Sequence, residues 1–314
     1  MRKLSIVLFL SFIVSSAWAC DICGCQLGGY SFGILAQNPT HFIGVRYNQA
    51  QFRAYIDNET LPDEYSHDTY NMLELMGRYV IGKRWQVSGI IPYSFNEMDG
   101  NSQQVSVSGI GDPVLLSYFN VLNTSTEAFR NLNHSLILGA GLKFPLGKFD
   151  EEDNDEIINR NFQLGTGSLD YLLSGIYTIK YKSFGLNIES TYKMNTTNKL
   201  DYHFGNQFNS ASKFYYAFIQ PNYSLLPYVG VTYEQSEMHT DEGFKQVNTG
   251  GHAWMGNVGL QAFVGPVMLM GTYNFVLSQA YNTDSRSTIE SQDRFQLGVI
   301  FNIRSKVGGM EMDL

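Results

Sequence analysis

Basic residues are not in excess here. The 314-residue chain carries 21 Lys+Arg against 29 Asp+Glu, a net charge of −8. That excludes a nucleic-acid binder that works through a basic surface. Charge of either sign is scarce, at 16% of residues, against about 25% in an ordinary soluble domain. Proline is limited to 8 residues, and the 3 cysteines all fall between Cys20 and Cys25. No disulfide framework therefore staples the body of the chain. After the first twenty residues no stretch approaches the ~18 consecutive apolar residues of a membrane helix. With a mean hydropathy of −0.16, this argues against a bundle of membrane helices.

Catalytic motifs are missing as well. The six histidines are scattered, without an H-x-x-x-H pair. His134 and Ser135 are neighbours on a predicted strand, so they point opposite ways and make no Ser-His arrangement. The sequence reads as that of a non-enzyme.

Aromatics are plentiful, with 20 Tyr and 21 Phe, and Gly reaches 30. Such a mixture is too apolar for disorder and suits many strands with one greasy face. The first segment is an address. Arg2 and Lys3 precede an apolar run from Leu4 to Val14, and small residues end in Ala17-Trp18-Ala19. This pattern predicts a signal peptide over 1–19, cleaved before Cys20.

From residue 40 onward the dominant pattern has a period of two. Ile43, Val45 and Tyr47 alternate with Gly44, Arg46 and Asn48. Leu73, Leu75 and Tyr79 alternate with Glu74, Met76 and Arg78; Leu297, Val299 and Phe301 alternate with Gln296, Gly298 and Asn302. Strands are predicted near 40–53, 70–81, 85–96, 112–122, 133–144, 167–179, 183–194, 212–221, 225–236, 252–264, 266–278 and 293–303. Short connections (82–84, Tyr181-Lys182, Asn222-Tyr223-Ser224, Gly265) alternate with long polar loops at 54–69, 97–111, 145–166, 195–211, 237–251 and 279–292. An even strand number with short turns at one end and long loops at the other predicts an all-β fold: an antiparallel transmembrane β-barrel of about 12 strands. Its turns face the periplasm, its long loops the exterior, and both chain ends are periplasmic. Trp85, Tyr118, Tyr177 and Tyr192 are expected in the aromatic girdles at the membrane surfaces. The predicted organisation is a leader (1–19), a Cys-rich segment (20–39), the barrel (40–303) and a tail (304–314).

Four glycine-rich phrases recur in order. They are Gly109-Ile110-Gly111-Asp112-Pro113, Gly141-Leu142-Lys143-Phe144-Pro145-Leu146-Gly147, Gln163-Leu164-Gly165-Thr166-Gly167-Ser168-Leu169-Asp170 and Asn248-Thr249-Gly250-Gly251. In this order the chain resembles the outer-membrane barrel family labelled "putative MetA-pathway of phenol degradation", over roughly residues 70–303. The resemblance implies a barrel associated with uptake of small, often apolar compounds. It transfers no catalytic residue. One departure is the eleven-residue tail, Arg304 to Leu314, after Phe301-Asn302-Ile303. Outer-membrane barrels often finish on an aromatic, so the assembly machinery would read Phe301 from within the chain.

Cys20, Cys23 and Cys25 are the sharpest chemical signal. Thiolates favour Cu(I) or Zn(II), and Gly24 lets the backbone fold between the last two. Lipidation of Cys20 and a strained Cys23–Cys25 disulfide are the other readings. The cluster would hang at the periplasmic mouth or tuck into the barrel as a plug. Inward positions are assigned to Arg46, Glu74, Arg78, Glu189, Lys193, Glu234 and Arg294, a polar lumen lining that tunes solute selection. Met76, Met255, Met268 and Met270 share that face, as fillers or as a thioether path for Cu(I). The acidic run Asp150–Glu156 lacks the spacing of a calcium loop. The leading functional expectation is an outer-membrane channel or transporter for small solutes. Soft-metal handling through the cysteines, and a structural or adhesive surface role, are the alternatives. Expected partners are outer-membrane lipid, a small-molecule or metal-ion solute and the barrel assembly machinery, with no nucleic acid.

Overall fold

The computed structural model describes Ile34 and residues 40–57, 63–101, 103–124, 131–153 and 156–303. The expected leader, the Cys20–Cys25 cluster and the tail lie outside these residues. Twelve antiparallel strands close into one barrel. They are β1 (His41–Ile56), β2 (Glu64–Ile81), β3 (Trp85–Gly100), β4 (Gln104–Ile110 continued by Val114–Asn123), β5 (Leu132–Lys143) and β6 (Asp170–Tyr181). The second half holds β7 (Phe184–Met194), β8 (Gln207–Tyr216 continued by Phe218–Ile219), β9 (Tyr223–Ser236), β10 (Gly251–Val264), β11 (Val267–Tyr281) and β12 (Ser287–Ile303). Each strand pairs with its neighbour in sequence. Closure comes from β1 pairing β12, with Val45 opposite Val299 and Tyr47 opposite Leu297. Among the described residues no helix is long and apolar enough to cross a membrane.

The faces are inverted relative to a water-soluble protein. Outward side chains are apolar and exposed: Ile43, Val45, Leu75, Leu173, Leu260, Leu297 and Val299. Inward neighbours are polar and buried: Arg46 is 1% exposed, Asn48 3% and Glu74 6%. Only a surrounding that prefers hydrocarbon makes this arrangement stable, because so large a continuous apolar surface is not left in water. Closure also pairs the backbone groups of every strand, which lipid demands.

Aromatic rings band the outer surface at two levels. Towards the long-loop end, Tyr47 lies 5.6 Å from Phe295 and 6.2 Å from Phe95, centroid to centroid. Towards the short-turn end, Trp85 meets Phe119 at 4.8 Å and Phe184 meets Tyr216 at 4.9 Å. Trp85 and Tyr192 point outward, and Tyr177 is a half-buried member of the outer face. Tyr118 corrects the sequence expectation. It is 1% exposed and belongs to the apolar cluster inside the barrel. Its inward partner in register, Gly139, leaves room for the ring, since a Cβ there would lie 2.4 Å from it.

Several strands are longer than expected. β2 spans 18 residues and β12 17, whereas about 9–11 suffice to cross a bilayer. The excess lies at the long-loop end. The expected loop 97–111 is instead a hairpin of β3 and the first half of β4, with Glu97 opposite Ser106. The strand expected at 212–221 begins at Gln207 and is interrupted at Ala217. The short turns fall at 82–84, as expected, and at 182–183, 220–222 and 265–266, within two residues of the expected positions. Gly82 and Gly265 take φ of 64° and 56° there, conformations that glycine adopts without a steric penalty.

Candidate functional site

The chemistry-bearing side chains face the barrel interior because inward positions repeat every second residue on each strand. On β1 and β2, register sets Arg46 opposite Glu74. Arg46 Nε donates to Glu74 Oε2 at 2.5 Å, and Asn48 Nδ2 donates to the same oxygen at 2.7 Å. Gln296 Nε2 on β12 then donates to Asn48 Oδ1 at 2.6 Å. This wall is a connected polar network, as buried charge requires. Arg78, four residues along β2 from Glu74, donates through Nε to the Thr40 carbonyl at 3.0 Å and stacks over Phe42. A second ion pair bridges the interior. Arg294 Nη1 on β12 reaches Glu234 Oε2 on β9, three strands away, at 2.8 Å.

Glu189 and Lys193 are buried on the inner face of β7, at 7% and 3% exposure. Met76, Met255, Met268 and Met270 are buried as well, and three of the four pack in the apolar cluster with Phe42, Leu116 and Ile300. Cys20, Cys23 and Cys25 lie outside the described residues. Among the described residues no three His, Cys, Asp or Glu side chains gather as a metal site. In the acidic loop, Lys148 pairs with Glu151 across 2.6 Å in solvent. His134 Nδ1 meets Tyr177 Oη at 2.7 Å, while Ser135 is buried on the opposite face of β5.

Three of the four glycine-rich phrases converge on a site that their sequence positions do not reveal. Lys143 Nζ at the end of β5 donates to Asp112 Oδ2 at 2.8 Å and lies 2.7 Å from Asp170 Oδ2 at the start of β6. The side chains of all three are almost completely buried. Asp112 also accepts the Gly147 and Thr166 N–H groups, each at 2.9 Å. Asp170 Oδ1 accepts Ser168 Oγ at 2.8 Å and the Thr196 N–H at 3.1 Å. Thr166 Oγ1 contacts the ammonium as well. Two carboxylates around one ammonium survive burial because donors occupy their remaining lone pairs. The glycines make the knot possible. A Cβ on Gly165 would lie 2.5 Å from Asp112 Oδ1 and 2.7 Å from the Gly147 carbonyl oxygen.

This knot ties down the loop between β5 and β6, and the loop reaches into the mouth. Phe162 is fully buried against Tyr70 of β2, with ring centroids 4.9 Å apart. The same apolar cluster takes in Phe52 of β1, Val107 of β4 and Ile289 of β12. The loop therefore extends from β5 and β6 across the mouth to β2, β1 and β12. Asn198, in the next long loop, donates through Nδ2 to the Thr166 carbonyl at 2.9 Å. Tyr202 Oη shares a 2.9 Å hydrogen bond with His239 Nδ1, joining that loop to the one after β9. Burial holds the His239 imidazole down to about 3, with Lys193 and His203 adding to the shift.

At the short-turn end Ile34 is fully buried inside the barrel. It packs with Tyr215, Ala217, Leu226 and Tyr228 of β8 and β9. Its N–H donates to Gln261 Oε1 on β10 at 3.2 Å, and its carbonyl accepts Asn187 Nδ2 of β7 at 3.5 Å. Between the two ends lies a cavity of about 80 Å³. Glu189, Lys213, Glu234, Asn257 and Arg294 are among the residues that line it.

A solved outer-membrane structure shares the architecture. An outer membrane channel from Pseudomonas putida F1 superposes with a TM-score of 0.63 at 16% identity, over 88% of this chain and 100% of that one. The beta domain of the Bordetella autotransporter BrkA matches at 0.49 and 11% identity, over 84% of this chain and 100% of that one. LpxR from Salmonella typhimurium matches at 0.41 and 10%, over 82% and 99%. At 16% identity the likeness to the Pseudomonas putida channel is one of fold. No curated protein matches the chain. The model of one family covers residues 64–288, a stretch that holds the buried knot, the inward loop and most of the central cavity's lining, and the chain belongs to that family, described as "Putative MetA-pathway of phenol degradation".

Proposed function

We propose that the protein is a channel of the bacterial outer membrane that passes small solutes through a constricted lumen. The carrying observation is the central cavity of about 80 Å³, lined by charged and amide side chains inside a wall whose outside is apolar. A barrel that served only as an anchor would have no need of charged groups around an interior space, since burying charge is costly. The fold of the Pseudomonas putida channel supports the same reading. In this assignment the leader 1–19 is removed on export. Twelve strands return the chain to its starting side, so both ends and the short turns face the periplasm. The long loops, with the Asp112–Lys143–Asp170 knot, face the exterior. Membrane lipid surrounds the apolar band, and the assembly machinery reads the last strand through Phe301.

Reconstitution into planar bilayers tests the proposal. Discrete conductance steps are expected from the folded protein. Bilayers that stay at the baseline of the detergent control would overturn it.

A further inference from the structure

The cavity wall is unequal in how its charges are satisfied. Arg294 of β12 and Glu234 of β9, both in its lining, form an ion pair. Across the cavity, on β7 and β8, Glu189 and Lys213 do not. Glu189 is 7% exposed, and its Oε1 has no hydrogen-bond partner among the described residues. Lys213 makes no ion pair among the described residues; its Nζ lies 5.9 Å from the Tyr228 ring centroid and feels the charges of Glu189 and Arg46 from beyond ion-pair distance. Both side chains line the cavity. Register sets the two charges side by side. Asn187 stands opposite Lys213 and Ala211 opposite Glu189, which makes the two charges diagonal neighbours on one face, about 7–8 Å apart at the backbone.

We infer that Glu189 and Lys213 form a subsite for a small zwitterionic solute, whose ammonium docks on Glu189 and whose carboxylate docks on Lys213. The inference rests on the channel reading and names the solute class for that lumen. An orphaned carboxylate oxygen and an unpaired ammonium facing one cavity are each costly alone. A lone cation would satisfy Glu189 and be repelled by Lys213, and a lone anion would meet the reverse. A neutral polyol would leave both charges unmatched. A molecule with its two charges a few bonds apart satisfies both at once, and the cavity has room for only a few heavy atoms. Asn257, whose Oδ1 has no hydrogen-bond partner among the described residues, offers a further acceptor for a solute ammonium. Binding here must be weak, because a solute in transit has to leave.

Saturation-transfer NMR on the full mature protein in detergent, with glycine, methylammonium and acetate as probes, tests this. The expected result is glycine affinity at least about tenfold above that of either single-charge probe. Lys213→Met and Glu189→Gln should each lower glycine affinity at least about tenfold, with retained heat-modifiable gel mobility reporting that the barrel is folded. A double variant with Glu189→Lys and Lys213→Glu should recover glycine binding over either single variant. Glycine binding no tighter than acetate or methylammonium, or unchanged in folded single variants, overturns the subsite. So does the absence of glycine binding to the wild type. Bilayer conductance of the same sample separates the two readings. Steps without glycine binding sink the subsite and leave the channel standing, whereas glycine binding without steps does the opposite.

Discussion

Single side chains decide how the barrel tolerates charge inside it. Lys143 is the clearest case, because Asp112 and Asp170 face each other once it is gone. Lys143→Met should destabilise the fold by about 3–5 kcal/mol, read as a lower thermal midpoint in detergent. Lys143→Met combined with Asp112→Asn and Asp170→Asn should recover most of that loss. His239 makes a prediction about pH. Its imidazole is buried and its pKa lies near 3, below the ordinary 6.5. An opened loop therefore binds a proton that the closed loop refuses across that window, so stability falls as pH drops from about 6.5 towards 3. Amide protection factors in the two loops holding Tyr202 with Phe204 and His239 should fall over that range in the wild type, and less in His239→Phe. The inward charges were legible in the sequence because alternation alone assigns a face to Arg46, Glu74, Glu189 and Arg294. The knot was not. Its three charged members lie 31 and 27 residues apart in the chain, derived from positions 112, 143 and 170, and carry no ligand-like spacing. The glycines beside them gave a family resemblance without the reason for it. That reason is close approach of backbone to Asp112.

Strands and loops show where periodicity informs and where it misleads. On β1 the outward face is apolar at Ile43 and Val45 but polar at Gln51 and Arg53. The inward face changes in the opposite sense, from Arg46 and Asn48 to Ala50, Phe52 and Ala54. The period stays at two while its phase reverses. Above the bilayer the wall is bathed in water on the outside and packs an apolar core within. A reading that follows one phase stops at the point of reversal, which is why β2 and β12 start earlier than expected. The first half of β4 escaped notice for a related reason. Its Ser106, Ser108 and Gly109 resemble a polar loop until they pair with β3. The inward loop follows the same logic, with Phe162 serving as an apolar anchor against Tyr70 and Phe52. Phe162→Ala removes that anchor, a loss of about 3–5 kcal/mol for a buried phenylalanine. Single-channel conductance should rise as the loop leaves the mouth, and an unchanged conductance would show that the loop does not constrict passage.

At the scale of the whole molecule, one arrangement organises the barrel: hydrocarbon outside, charged groups around the central cavity, and apolar packing at each end of that cavity. Phe162 with Ile158 packs one end, and Ile34 with Leu226 the other. Ile34→Asp would set a carboxylate among apolar and aromatic neighbours and should widen the lumen at the short-turn end, read as a rise in conductance independent of that from Phe162→Ala. The central claim is that lipid touches one set of alternating residues and not the other. It is tested most directly by a spin-label scan along Phe42 to Ala50 in liposomes, with Cys20, Cys23 and Cys25 replaced by Ser. The account predicts that collision rates with oxygen peak at positions 43, 45 and 47 and fall at 44, 46 and 48. High accessibility to a water-soluble nickel complex at 43, 45 and 47, or no two-residue period at all, would contradict it.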